Sequence, residues 1–264
     1  MTLTSYRFVS VDSRDRSEGG SQGDYTVRLL EDVQDVCSVK VRSYDVPKLW
    51  NVRPGRNELW VSLVSLGTGV FERIVVQPGD HTPATARNAL LAALFAARPF
   101  EQWSVTVTDE GYFVVTAAQP FIVRGSDGSS GYCKSSAGKV FGFSAGESQP
   151  GTTVKAAHRH QLARIEPVYI HVEDYDAVQG AGRGVHNCME VVTPTTDECM
   201  SKKAHDRSAE KRFHPPLARI CKLRIRILDW YGDVVDFDNR DNRVDLEFVV
   251  RDSVMRNGDG YAPH

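Results

Sequence analysis

Histidines and cysteines crowd one stretch of this chain: His186, Cys188, Cys199, His205 and His214. Imidazole and thiolate are the ligands zinc prefers. A structural zinc site needs four of them, usually in paired close spacings such as Cys-x₂₋₄-Cys. Only His186-x-Cys188 is tight here. His186, Cys188, Cys199 and His205 are therefore zinc candidates by residue type that the spacing does not favour, and the expectation is unpaired surface residues with no metal and no cofactor.

Carboxylates crowd a second stretch, with Asp233, Asp236, Asp238, Asp241 and Asp245 close together. Calcium takes several convergent oxygens, and its helix–loop–helix sites follow Asp-x-Asx-x-Asx-Gly. Arg240 breaks that pattern, which leaves a solvated acidic loop. Gly125-Ser-Asp-Gly-Ser-Ser-Gly131 is serine-rich but has the composition of a turn. His158-Arg-His160 has no carboxylate partner at a recognisable spacing. The chain has no phosphate-binding Walker loop, no Gly-x-Ser-x-Gly nucleophile elbow and no His-Glu-x-x-His. We expect no enzyme.

The segments around these residues read as strands. Cys221, Leu223, Ile225 and Ile227 alternate with Lys222, Arg224 and Arg226, and Val244, Leu246, Phe248 and Val250 alternate with Asp245, Glu247 and Val249. Period-2 alternation gives each strand one buried and one wet face, and the two runs are expected to form a C-terminal hairpin. The same pattern recurs at Tyr25–Leu29, Cys37–Val41, Leu59–Leu63, Trp103–Val107, Tyr112–Thr116 and Val168–Val172. In these runs Cys37, Val39 and Val41 are expected inward, as are Leu59, Val61 and Leu63, with Trp60 and Ser62 on the other face. Many short strands punctuated by turns predict a mostly β, antiparallel jelly-roll sandwich.

One helical excursion is embedded in this pattern. Thr82 can cap it, Pro83 suits its first position, and Arg98-Pro99 ends it. Ala86, Leu90, Leu91, Leu94 and Phe95 are its expected inner face. A second helical turn is expected near Ser136–Phe141, ending at Gly142, and Asp109-Glu-Gly111 reads as a tight hairpin turn. The expected organisation is a single domain over 1–264, an α+β insertion at 79–150, a long charged loop at 193–216 and a tail at 252–264.

Composition sets outer limits. The chain has 264 residues, 41% hydrophobic and 25% charged, with a net charge of −2. That charge gives no global pull toward nucleic acid or an anionic membrane. No apolar run approaches the roughly 18–20 residues of a membrane span, and no signal peptide is visible at the N-terminus. Five widely spaced cysteines are expected to be reduced thiols in a cytosol-like compartment.

Charge is segregated near the C-terminus. Between Ser201 and Arg226 nine Lys/Arg face two acids, whereas between Asp229 and Asp259 nine acids face four Arg. The basic stretch lacks the interleaved aromatics of a nucleic-acid groove, apart from Phe213, so nucleic acid is not the expected partner. The plain expectation is that the two patches pair in cis. The sharper one is that they meet between neighbouring copies, with Lys202, Lys203, Arg207, Lys211 and Arg212 opposite Asp233, Asp236, Asp238 and Asp241.

A series of motifs resembles the capsid proteins of nucleocytoplasmic large DNA viruses. Val11-Asp-Ser-Arg-Asp-Arg16 precedes Tyr25-Thr-Val-Arg-Leu29 and Val33–Val41 leading to Pro47. Asn51, Val52 and Asn57 follow, then Val75-Val-Gln-Pro-Gly79, Val140-Phe-Gly-Phe143 and Tyr169–Tyr175. Leu223-Arg-Ile-Arg-Ile-Leu-Asp229-Trp-Tyr-Gly232, Asp236-Phe and Leu246-Glu-Phe close the series. The resemblance implies a penton or other minor capsid protein of jelly-roll type in an icosahedral virion. Its implied partners are the major capsid protein and other minor capsid proteins. It also implies a homo-oligomer, pentameric if a penton, assembled in the host cytoplasm. The alternative is a receptor- or carbohydrate-binding jelly-roll module of a virion, for which Trp50, Trp230 and Tyr231 are the exposed-aromatic candidates.

Overall fold

The computed structural model describes residues 4–17, 20–66, 69–128, 131–163, 166–178, 187–192, 199–202 and 208–252. In chain order its elements are β1 (Thr4–Asp12), β2 (Asp24–Pro47), β3 (Glu58–Leu63), β4 (Glu72–Val75), α1 (Pro83–Ala97), β5 (Ser104–Val107), β6 (Phe113–Arg124) and α2 (Gly138–Phe141). They continue with β7 (Gly151–Lys155), β8 (Val168–Val172), β9 (Glu190–Val192), β10 (Cys199–Lys202), β11 (Glu210–Leu228) and β12 (Arg243–Arg251). All the strand ladders among the described residues are antiparallel, so the chain is mostly β and antiparallel, as expected, with an embedded helical excursion. It divides into two compact units, Met1–Lys48 with Glu166–His264, and Leu49–Ile165. The unit inside the chain is thus wider than the expected insertion at 79–150, because β3 and β4 belong to the same sheet as β5 and β6.

The first unit is built on one sheet, in the order β1-β12-β2-β11-β8-β9, with β10 also pairing β2. The expected C-terminal hairpin does not form. β11 and β12 flank β2 on opposite edges, with Ile225 opposite Tyr25 and Phe248 opposite Val39. The connection Asp229–Asn242 explains this. A tight hairpin closes through about two to five residues, whereas this longer segment crosses to the far side of β2. Alternation fixed which residues face inward but not which strand each would meet. Leu223, Ile225 and Ile227, and Val244, Leu246, Phe248 and Val250, are buried.

Two expected inward cysteines are displaced where their ladders shift register. Cys37 is the extra residue where β12 pairs β2, between Val36 opposite Val250 and Ser38 opposite Val249. Val36 is buried in its place. Cys221 lies where β11 shifts register, between Ile220 opposite Val33 and Lys222 opposite Arg28, and it is exposed while Ile220 is buried. The expected loop at 193–216 is also shorter than supposed. β11 already begins at Glu210 and runs through Pro215-Pro216. The prolines fall in the register shift between Arg212 and Leu217, where no ladder hydrogen bond is needed from them.

The second unit carries a sheet in the order β4-β3-β6-β5, with β7 on β6. β3 is central, and both of its rows are buried, Trp60 and Ser62 included. Thr82 caps α1 in a reciprocal capping box with Thr85. Ala86, Leu90, Ala93 and Leu94 are the helix's buried residues, with Leu91 half-buried. Phe95 is exposed rather than inward. At about 100° per residue Ala93 nearly eclipses Ala86, whereas Phe95 lies half a turn away. The turn at Gly111 and the short helix α2 form where expected. Gly142 closes α2 at φ 80°, and a Cβ there would lie 2.1 Å from the His158 carbonyl oxygen.

Candidate functional site

Ser13 begins a dense polar cluster of the first unit. β1 ends at Asp12, whose carboxylate accepts from the Arg14 backbone N–H and pairs with the Arg14 guanidinium at 2.6 Å. That bond holds the Asp12 carboxyl below its ordinary range. Ser13 is fully buried, and its N–H donates to the Asn242 carbonyl at 2.9 Å. Its hydroxyl accepts from the Asn242 N–H at 3.0 Å and donates to Asp241 at 2.9 Å. The Asn242 side chain accepts from the Tyr25 hydroxyl at 2.8 Å and donates to the Gln22 carbonyl at 2.6 Å. Arg16 stands 3.8 Å from Asp241. Burial, more than the charge of Asp12, raises the Tyr25 phenol. Two of the segments that resemble the capsid family, Val11–Arg16 and Tyr25–Leu29, are therefore tied together through Asp241 and Asn242, just before β12.

The acidic loop rises from this knot. Asp229 is buried and accepts from the backbone N–H of Tyr231 and of Asp233. Val235 returns to β11 through its N–H to the Ile227 carbonyl at 2.9 Å, and Val235 and Phe237 are buried. Asp236 accepts from the Asp238 N–H at 2.8 Å, and Asp238 and Asn239 both have positive φ. Between these anchors Trp230 and Val234 are 42% and 43% exposed. Asp236 and Asp238 are exposed and make no ion pair among the described residues.

The basic strand takes its counter-charges from its own Glu210, from β2 and from the turn after β8. Arg212 pairs with Glu210 at 3.0 Å, Arg219 with Asp32 at 2.5 Å, and Arg224 with Asp24 at 2.9 Å and Glu173 at 3.3 Å. Arg226 meets His171 at 2.5 Å, and His171 in turn meets Asp176. The pairing expected in cis between basic stretch and acidic loop is thus not the one these arginines make. Lys211 is half-buried on β11. The side chain of Lys202, and Lys203 and Arg207 entirely, lie outside the described residues.

Cys188 is the one zinc candidate whose side chain is described. It is fully buried and bridges backbone to backbone with Val178. Burial first, then Asp176 and Glu190, pushes its thiol up to about 11, so it is a protonated core residue at neutral pH. His186, His205 and the Cys199 side chain lie outside the described residues, and His214 is exposed. Among the described residues no three His, Cys, Asp or Glu side chains gather as a metal site would require. His160 stands edge-on to Phe113 at 5.8 Å, a packing contact.

Register places together two features that the residue pattern did not announce. Tyr6 and Phe8 project outward from the edge strand β1, with Arg42 stacked 4.3 Å over Phe8. Arg28 and Lys222, one on β2 and one on β11, stand directly opposite each other. Neither could be found without knowing which strands pair.

No family model matches the chain, and no curated protein matches it. Among solved structures it is similar to the mavirus penton protein, with 7% sequence identity and a TM-score of 0.46, covering 92% of this chain and 99% of that one. It is also similar to a chain in the structure of the Sputnik virophage, with 10% identity and a TM-score of 0.41, covering 94% of this chain and 98% of the other.

Proposed function

We propose that this chain is a structural protein of an icosahedral large DNA virus capsid, a penton at the fivefold vertex or another minor capsid protein in contact with the major capsid protein. The observation that carries the reading is the ordered series of capsid-type motifs, together with what those residues do in the fold. Ser13 and Tyr25, from two of those motifs, hold strand ends in place through Asp241 and Asn242, and this packing role accounts for both. A rigid β framework that presents charged loops suits shell building, where weak contacts are strengthened by repetition. In this reading the chain is a homo-oligomer, pentameric as a penton, that assembles in the host cytoplasm and resides in the virion. Lys202, Lys203, Arg207, Lys211, Arg212, Asp233, Asp236, Asp238 and Asp241 are its candidate contact residues. Localising the chain in a reconstruction of whole particles tests it. Density at the fivefold axis supports the penton, density between capsomers supports another minor position, and absence from particles ends the capsid reading.

A virion module that binds a receptor or carbohydrate is the second reading, favoured by the exposed Trp230 among acids. An exposed indole beside carboxylates is a common surface for sugars to stack on. Glycan-array binding that Trp230→Ala abolishes would favour it over shell building.

A further inference from the structure

Arg28 on β2 is the direct cross-strand partner of Lys222 on β11. Side chains so placed have Cβ atoms about 4.5–5.5 Å apart, and like charges there destabilise the pair. Both residues are exposed. Neither makes an ion pair or a side-chain hydrogen bond among the described residues. The nearby acids do not relieve them. Asp24 and Glu173 are taken by Arg224, and Asp32 by Arg219, while Glu31 in the adjoining bulge pairs with neither cation. Arg28 and Lys222 thus stand together as a doubly cationic patch with no counter-ion among the described residues. Local violations of this kind mark functional surfaces.

The same unit has anions without counter-ions, Asp236 and Asp238, on a loop that also exposes Trp230 and Val234. They make no ion pair with the cation site within one molecule. The loop is fastened at Ile227, five positions along β11 from Lys222. At about 3.3 Å per residue that is roughly 16 Å of strand.

We propose that Arg28 and Lys222 receive the acidic loop of a second copy of this chain, with Asp236 and Asp238 meeting the two cations and Trp230 and Val234 covering apolar surface beside them. This rests on the reading of the chain as an assembly protein, and it names the partner as a second copy and the contact as head-to-tail. Two different patches meet, so the contact propagates and closes into a ring wherever its rotation closes. An aromatic anchor with charges around it gives such a contact both affinity and register. The charges lie at the surface, so salt weakens the contact.

Sedimentation of the full chain tests this. At low salt the chain is expected to form oligomers that dissociate several-fold more readily at 0.5 M salt. R28E with K222E is expected to leave a monomer, as is D236K with D238K, each with unchanged circular dichroism. The four substitutions together are expected to restore the oligomer, because they exchange the two charges. A wild-type chain that stays monomeric at high micromolar concentration and low salt overturns the proposal. So do reversals that leave the oligomer intact, or a fourfold variant that stays monomeric. Loss of binding to a single-stranded oligonucleotide in the R28E/K222E variant, with the oligomer unaffected, assigns the cations to nucleic acid instead and also overturns it. Particle reconstruction keeps the two ideas apart. A chain that oligomerises through these charges yet is absent from particles refutes only the capsid reading. Incorporation into particles unaffected by the reversals refutes only this contact.

Discussion

Asn242 ties the N-terminal motif of the first unit to its acidic loop. It is buried, and its side chain serves a phenol on one side and a carbonyl on the other. Truncating it leaves the buried Tyr25 hydroxyl without a partner and frees the half-buried Gln22 carbonyl to water, and an unsatisfied buried group costs about 1–3 kcal/mol. Asn242→Ala is therefore expected to lower unfolding stability by about 1–3 kcal/mol, read from the shift of the denaturant midpoint. A change under a few tenths would mean that the knot is ornamental. Glu210 gives a second, pH-dependent test. The Ser38 hydroxyl, then Arg212, holds its carboxyl below the usual value against the opposing effect of burial. A carboxyl depressed in the fold stabilises above its unfolded value, about 4.3, and loses that contribution as pH falls through the folded value. Stability measured by denaturant at a series of pH values is expected to hold down to about pH 5 and then fall. Glu210→Gln is expected to be less stable at neutral pH and to show a shallower acid slope. An unchanged slope would remove Glu210 from the account.

At the scale of elements, what sequence could reveal depended on how local each cause was. The cap at Thr82, the stop at Gly142 and the inward rows of β11 and β12 are set by neighbours in the chain, and all were legible. Partner choice is set by loop length and by the reach of β2, so the expected hairpin became two strands on opposite edges of a third. Register shifts hid both cysteines, but differently: Cys37 is itself the extra residue against β12, whereas Cys221 stands alone against four residues of β2, 29–32. The candidate surface followed that division. Its acids were legible as a cluster, whereas the Arg28–Lys222 pair exists only through register. Glu101 is a further element-scale device that no local pattern reveals. It is buried and makes no ion pair among the described residues, and its carboxylate accepts from the N–H groups of Ala118 and Gln119 at 2.9 and 3.2 Å. Those residues lie where β6 shifts register against β7, so Glu101 replaces the missing ladder bonds. Glu101→Ala is expected to cost about 1.5–3 kcal/mol per lost charge-assisted bond at most, with Glu101→Gln in between. A thermal melt of each variant checks the order, and equal melting of all three would refute the clamp.

At the scale of the whole molecule, the chain enters one compact unit, leaves it for another after Lys48 and returns at Glu166. The inner unit carries the features of an independent domain. Its length lies within the usual range of about 50–250 residues. Its core is closed and apolar, with Phe113, Phe121 and Phe141 fully buried beside Leu59, Ile74 and Leu90. Trp103 stacks edge-on to Phe121 at 5.2 Å, and Phe113 edge-on to Phe141 at 5.0 Å. Its sheet, its helix cap and the Glu101 clamp all find their partners between Leu49 and Ile165. A polypeptide of residues 49–165 alone is therefore expected to fold, with a single cooperative thermal transition and a near-ultraviolet circular dichroism signal from Trp103. Two substitutions make the test sharper than folding alone. Thr82→Ala removes the cap and is expected to cost about 1 kcal/mol, and Glu101→Ala costs more. If the unit is self-sufficient, each substitution lowers stability by the same amount in the fragment as in the inner unit of the full chain, because its contacts are complete in both. A fragment that melts without cooperativity, or one indifferent to both substitutions, would mean that the inner unit depends on the outer one for its order.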